Sequence, residues 1–190
     1  MNYVATFFFL GILFAMFPYD FPLLWSKIPT TAAYLDQYET HLKFMHEAPP
    51  LISRILHIML LTVFVGIFIK MWRPSESNFL FDGASLILYL VAFAVYTANT
   101  LRGLRTIADG VWQQEEWQHS REGRFQGEIV LGREDSLKVL AASNTILALV
   151  LVGVLVLQAG QWYAERTETK EVEKAEEKAE AETKSSKKKQ

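Results

Sequence analysis

Residues 137–165 read LKVLAASNTILALVLVGVLVLQAGQWYAE, and the reading of this stretch decides the fold. Between Val139 and Ala164 the only ionisable side chain is the phenol of Tyr163. At about 1.5 Å per residue, a helix of that length outreaches a hydrocarbon layer about 30 Å thick. A soluble core helix would show a polar face at the 3.6-residue period. Ile146 to Leu157 is instead apolar all round, as lipid on most sides permits. Trp162 and Tyr163 stand where the apolar run meets charge and read as an interfacial aromatic anchor.

Three further apolar blocks lie upstream. Of 190 residues, 51% are apolar and 13% aromatic, and they gather in four blocks that leave too little elsewhere for a second core. The fold class expected is therefore all-α: a polytopic membrane protein with four transmembrane helices over 2–17, 51–72, 83–104 and 137–163. The opening MNYVATFFFLGILFAMF lacks a basic start, and FPYDFP stands where a cleavage site would need small residues, so this block reads as a retained span. Over 2–17 it would be only about 24 Å long. Either the bilayer thins around it, or the helix continues past Pro18 with a kink toward Trp25. Gly11 and Ala15 form a small-xxx-small pair that would let another helix approach. The second block holds Arg54 and His57 near one end and Lys70 near the other, where long basic side chains snorkel to the interface. The short link RPSESNFLFD makes the second and third spans antiparallel neighbours.

Between the spans, Leu35, Tyr38, Leu42 and Met45 follow a helical period after Thr30 and Thr31 and before Pro49-Pro50. The pattern predicts a short amphipathic helix on the membrane surface or on the other helices, with a partner-binding helix as the alternative. The segment 105–136 is polar but punctuated by Trp112, Trp117, Phe125 and Ile129–Leu131. It is expected to form surface helices rather than a folded domain, because so short a stretch cannot bury a core alone. The tail 166–190 carries eight basic and seven acidic residues. It reads as a charged, solvated segment, either a helical rod laced by charge pairs or a disordered chain.

Four spans put both termini on one side, and the loops 18–50 and 105–136 on the other. Basic residues are divided almost evenly between the two sides and do not orient the chain. Lys187 and Lys188, fourth and third from the end, match the placement of a dilysine retrieval signal read in the cytosol. A merely lysine-rich tail is the alternative. If the signal operates, both loops are lumenal.

The chemistry-bearing residues are sparse. Absence of cysteine excludes disulfides and thiol catalysis, and no face is basic enough for nucleic acid. His41 and His46 lack the i, i+4 spacing of a helical zinc site, so no metal and no cofactor is expected. The carboxylates are expected in loops and tail rather than within spans, which disfavours a pump, a proton-coupled carrier or an enzyme. What remains in the bilayer is a small polar set, chiefly Asn99, Asn144 and Thr145, beside the row Ala141, Thr145 and Gly153 broken by Leu149. Cross-helix hydrogen bonds from such groups are worth only about 0.6 to 2 kcal/mol, enough to choose a partner and weak enough to release it. Asn99, Ala141, Asn144, Thr145 and Gly153 are thus candidate contacts for another protein's helices. Bonding of Asn99 and Asn144 to each other or to backbone within the bundle is the alternative.

The segments FPYDFPLLW at 17–25, FDGASLILYL at 81–90 and LAASNTILALVLVGVLVLQAGQWYAE at 140–165, with HEAPPLISRILHI at 46–58, resemble a known family. It is that of the fungal endoplasmic-reticulum membrane chaperones, or secretory components, that package amino-acid permeases. The resemblance spans residues 1 to about 165. It implies four spans, cytosolic termini and no enzymatic activity. It further implies that the membrane part holds newly made permeases while the tail helps present them to vesicle coat components. The rival readings are a constitutive structural subunit of a membrane complex and a small four-helix channel or carrier.

Overall fold

The computed structural model describes residues 2–27, 30–72 and 76–187. Its helices are α1 (Asn2–Trp25), α2 (Ala32–His46), α3 (Pro50–Met71), α4 (Glu76–Val95), α5 (Leu101–Ala108), α6 (Glu115–Gln118) and α7 (Arg133–Lys187). A five-residue π-helical turn, Tyr96–Thr100, joins α4 to α5 without interrupting the rod. Four of the described helical segments are long and apolar enough to cross a membrane: Tyr3–Trp25, Pro50–Met71, Leu80–Ala108 and Arg133–Ala179. The all-α, four-span architecture is therefore the one expected from the sequence.

Three spans run further than their apolar blocks, the third reaching from Leu80 to Ala108 rather than over 83–104. The first does not stop at Phe17 but continues through Pro18 and Pro22 to Trp25, so the helix is long enough without a thinned bilayer. Its last turns are held from outside: Tyr34 on α2 donates its hydroxyl to the Tyr19 carbonyl at 2.5 Å. The fourth span begins at Arg133, and α7 then runs 55 residues as one helix through the charged segment. Among the tail's two expected forms the helical rod is the one seen, every described residue from Glu165 to Ala179 being exposed. Lys187 is its last helical residue, and Lys188 lies outside the described residues.

Helices α1, α4 and α7 pack together, with α3 against α1 and α4. Their shared apolar core comprises Ala5, Val63, Ile67, Tyr89, Leu151 and Val154. Tyr3 donates to the Gln158 carbonyl at 3.3 Å, so the start of α1 lies beside the far end of the α7 span. Both described ends of the chain therefore leave from one end of the bundle, while α2 and 105–132 cover the other. Helix α3 is the least attached. Phe64 meets Phe93 edge-on at 6.1 Å, but from Leu51 to Ile55 every side chain of α3 is exposed.

The covered end is more than a set of surface helices, and here the sequence expectation needs correcting. The two connecting segments fold against each other and against the helix ends, which supplies the core that neither could bury alone. That core contains Met16 and Leu23 of α1, Leu35, Tyr38 and Leu42 of α2, then Ile107, Trp112, Leu137, Leu140 and Ala141. The expected stripe of α2 loses Met45, 38% exposed, and gains Glu39, 5% exposed. Arg133 explains the gain: its guanidinium reaches Glu39 and Asp36 at 2.6 Å each and fastens α2 to the start of α7. The segment 105–132 also contains a two-stranded hairpin, β1 (Arg124–Phe125) and β2 (Glu128–Ile129), which no sequence pattern announced. Gln126 and Gly127 at its tip both have positive φ, as a two-residue hairpin turn requires.

Gly123 precedes that hairpin at φ +62, and a Cβ there would meet the Val130 carbonyl oxygen at 2.9 Å. Gly123→Ala should therefore loosen the cap by more than about 1 kcal/mol. Faster proteolysis within 105–132 of the membrane-embedded protein is the expected readout.

Candidate functional site

Two carboxylates lie buried on helices that span, contrary to the expectation that the acids would keep to loops and tail. Asp20 belongs to α1 and Asp82 to the start of the third span, each only 2% exposed. Both escaped the sequence reading because they sit at the margins of apolar blocks, where a carboxylate reads as loop. The segment FPYDFP held the clue: an acid enclosed by prolines and aromatics.

Each is paired by groups from other elements, as a buried charge requires. The Tyr38 hydroxyl of α2 donates to Asp20 Oδ1, and Asn144 of α7 donates to Oδ2 at 3.0 Å. Around this junction Tyr19 stacks on His41, with ring centroids 4.2 Å apart. Burial and then the Asp20 charge push the Tyr38 phenol far above its ordinary pKa, and Tyr34 rises for the same two causes. Both phenols therefore remain donors throughout the physiological range. At the opposite end Gln161 donates to Asp82 Oδ2 at 3.2 Å, and Lys70 approaches Oδ1 at 3.4 Å. Between the clusters the inward face of α7 is apolar over Leu147, Leu151 and Val154 and turns polar again at buried Gln158.

The sequence-derived contact candidates divide. Ala141 and Asn144 point inward; the first is fully buried, and the amide of the second is engaged by Asp20. Thr145 is half-buried and donates to the Ala141 carbonyl at 3.1 Å, while Gly153 lies against Leu88. The row Ala141, Thr145, Leu149, Gly153 is no single face, since each four-residue step turns about 40° around a helix. Asn99 alone is exposed, and it lies on the π-helical turn. Asn99 and Asn144 thus have different surroundings rather than each other. Beside Asn99 a shallow cavity of about 210 Å³ opens between Arg102, Gly103, Ile129 and Val139. Arg102 is engaged there by Glu128 at 2.5 Å.

The bundle thus pairs its two buried span carboxylates internally and presents largely apolar outer helix faces, a cap at one end and a helical rod at the other. A family model of SHR3 chaperones, described as ER membrane protein SH3, matches residues 3–190. The chain belongs to this family. It is accordingly a multi-pass protein of an endoplasmic-reticulum membrane chaperone family, which is not a known enzyme family. Neither a comparison with curated proteins nor one with solved structures returns a match. In this SHR3-family chain the match extends over the tail as well as the four spans.

The two asparagines should separate experimentally. Asn144→Leu removes a donor from buried Asp20 and should cost about 1 to 3 kcal/mol. Asn99→Leu, at an exposed site, should leave thermal stability in detergent unchanged within error. Equal stability of the two variants would sink the Asp20 junction as a structural element.

Proposed function

We propose that this chaperone shelters transmembrane segments of newly made amino-acid permeases, prevents their aggregation and assists their packaging into vesicles leaving the endoplasmic reticulum. The observation that carries this reading is the match to the chaperone family over nearly the whole chain. Geometry supports it. A partly assembled permease exposes helices broken near mid-membrane, where an unpaired backbone group costs several kcal/mol. Outward apolar surface on α1 and α3, with Asn99 as an exposed amide, covers such segments without a strong lock. Contacts of this strength let go once the client's own helices close.

In this reading the chain's two ends face the cytosol, and the cap of α2 and 105–132 is lumenal. The α7 rod then extends into the cytosol. Its twenty-two residues beyond Glu165 would reach about 33 Å, far enough to meet a vesicle coat at the membrane surface. Lys187 and Lys188 would return the chaperone after a round of export. A channel is the less favoured reading, because Leu147, Leu151 and Val154 separate the two buried polar clusters by an apolar layer.

Cells deprived of this protein should retain their amino-acid permeases in the endoplasmic reticulum as high-molecular-weight aggregates, seen by native electrophoresis of solubilised membranes. Amino-acid uptake should fall in parallel. Normal delivery of every permease would remove this function.

A further inference from the structure

The first span carries a pattern that its own fold leaves unused. Phe7, Gly11, Phe14, Pro18, Phe21 and Trp25 succeed one another at intervals of four, three, four, three and four residues. This is the 3.5-residue repeat by which two helices pack with a small left-handed crossing. Such a seam normally faces a neighbour, yet here it faces outward: Phe7 is 61% exposed, Phe14 78%, Phe21 48% and Trp25 49%. The opposite face of α1, with Ala5, Thr6, Met16, Asp20 and Leu23 buried, is the one that meets the bundle. Large rings alternate with the small Gly11, where an added Cβ would meet nothing within 4 Å. The seam therefore has knobs and a hole. Its lower half is held in shape by the Phe17, Phe21 and Trp25 rings, whose centroids lie 5.5 to 5.9 Å apart.

The same face has a backbone demand. Proline has no N–H, so Pro18 cannot pair the Phe14 carbonyl and Pro22 cannot pair the Pro18 carbonyl. Both carbonyls belong to residues of the seam. Within hydrocarbon an acceptor that has lost its helical donor is satisfied by a neighbouring helix, a side chain, an ordered water or a local tightening of the helix, and the first two are what a docking partner can bring. A second copy of this seam could offer little, since phenylalanine, glycine and proline side chains have no donors and only the Trp25 indole does. A helix with hydroxyl or amide side chains supplies what is missing.

We propose that the outward face of α1 is a docking seam for one transmembrane helix of the client, a helix bearing Ser, Thr, Asn or Gln donors that reach the Phe14 and Pro18 carbonyls. The proposal rests on the chaperone reading above and names the surface and the client chemistry that reading leaves open. Two substitutions test it without disturbing the fold. Gly11→Leu fills the hole from a position with open space around it. Pro18→Ala returns an N–H to the Phe14 carbonyl, so the chaperone's own helix should become no less stable.

A radiolabelled amino-acid permease is made in microsomes containing each variant and recovered with the chaperone in mild detergent. Gly11→Leu and Pro18→Ala should each lower recovery about threefold or more, the scale of one lost contact of this kind. A photocrosslinker at Phe14 should join the permease, whereas one at Leu149, on the exposed face of α7, should do so weakly. Unchanged recovery with both variants, or a Phe14 crosslink only to a second copy of the chain, overturns the seam while the chaperone reading stands. Failure of the wild-type protein to recover any permease overturns both.

Discussion

A carboxylate inside a membrane helix must find donors, and Asp20 finds them on two other helices. Ionised or not, its oxygens cannot be left facing hydrocarbon, since desolvating an unpaired charge there costs far more than one folding contact returns. Tyr38 and Asn144 meet the demand from α2 and α7. One side chain therefore fixes where α1 ends, where α2 docks and how α7 is rotated. The cap follows from that junction: with α2 seated, Arg133 can reach Glu39 and Asp36, and Trp112 can donate to the Leu131 carbonyl at 2.9 Å. Satisfying charge internally also shapes the outside, because it leaves the lipid-facing surface nearly free of groups that would bind a partner tightly.

A chaperone for membrane proteins needs that division. Tight polar sites exposed to lipid would trap any helix with a complementary group, whereas a purely apolar exterior would not distinguish a client from lipid, both being equally oily. The structure combines a rigid interior with peripheral parts of lower commitment. Helix α3 leaves the others beyond Met59, and the exposed face of α1 carries unused packing geometry. The continuous α7 joins the membrane core to a charged rod on the far side of Trp162, over whose ring Arg166 sits at 5.1 Å.

Burial rearranged the meaning of several residues. Asn144 looked like a free amide among apolar neighbours, and in one dimension nothing distinguishes it from Asn99. In three dimensions the two have opposite surroundings: Asn144 points at a carboxylate 124 residues away in sequence, and Asn99 points outward from a π-helical turn. Similarly, Glu39 broke the apolar stripe of α2, yet it is more deeply buried than Met45, which continued the stripe. Ion pairs between distant segments override a local period because an unpaired buried charge is not an available alternative.

The sequence by itself determined the class, the number of spans and their approximate places, since bilayer thickness sets the length of an uncharged helical run and composition reveals such runs directly. It also determined the helical period of α2 and the absence of thiol chemistry. Only the tertiary structure decided that α1 runs through two prolines, that the loops share a core, and that Ala141 and Asn144 are inside while Gly11 and Phe14 are outside. These depend on contacts between residues far apart in the chain. A helix's apolar residues satisfy lipid and protein neighbours alike, so periodicity cannot tell which face meets which; the position of the paired charges does.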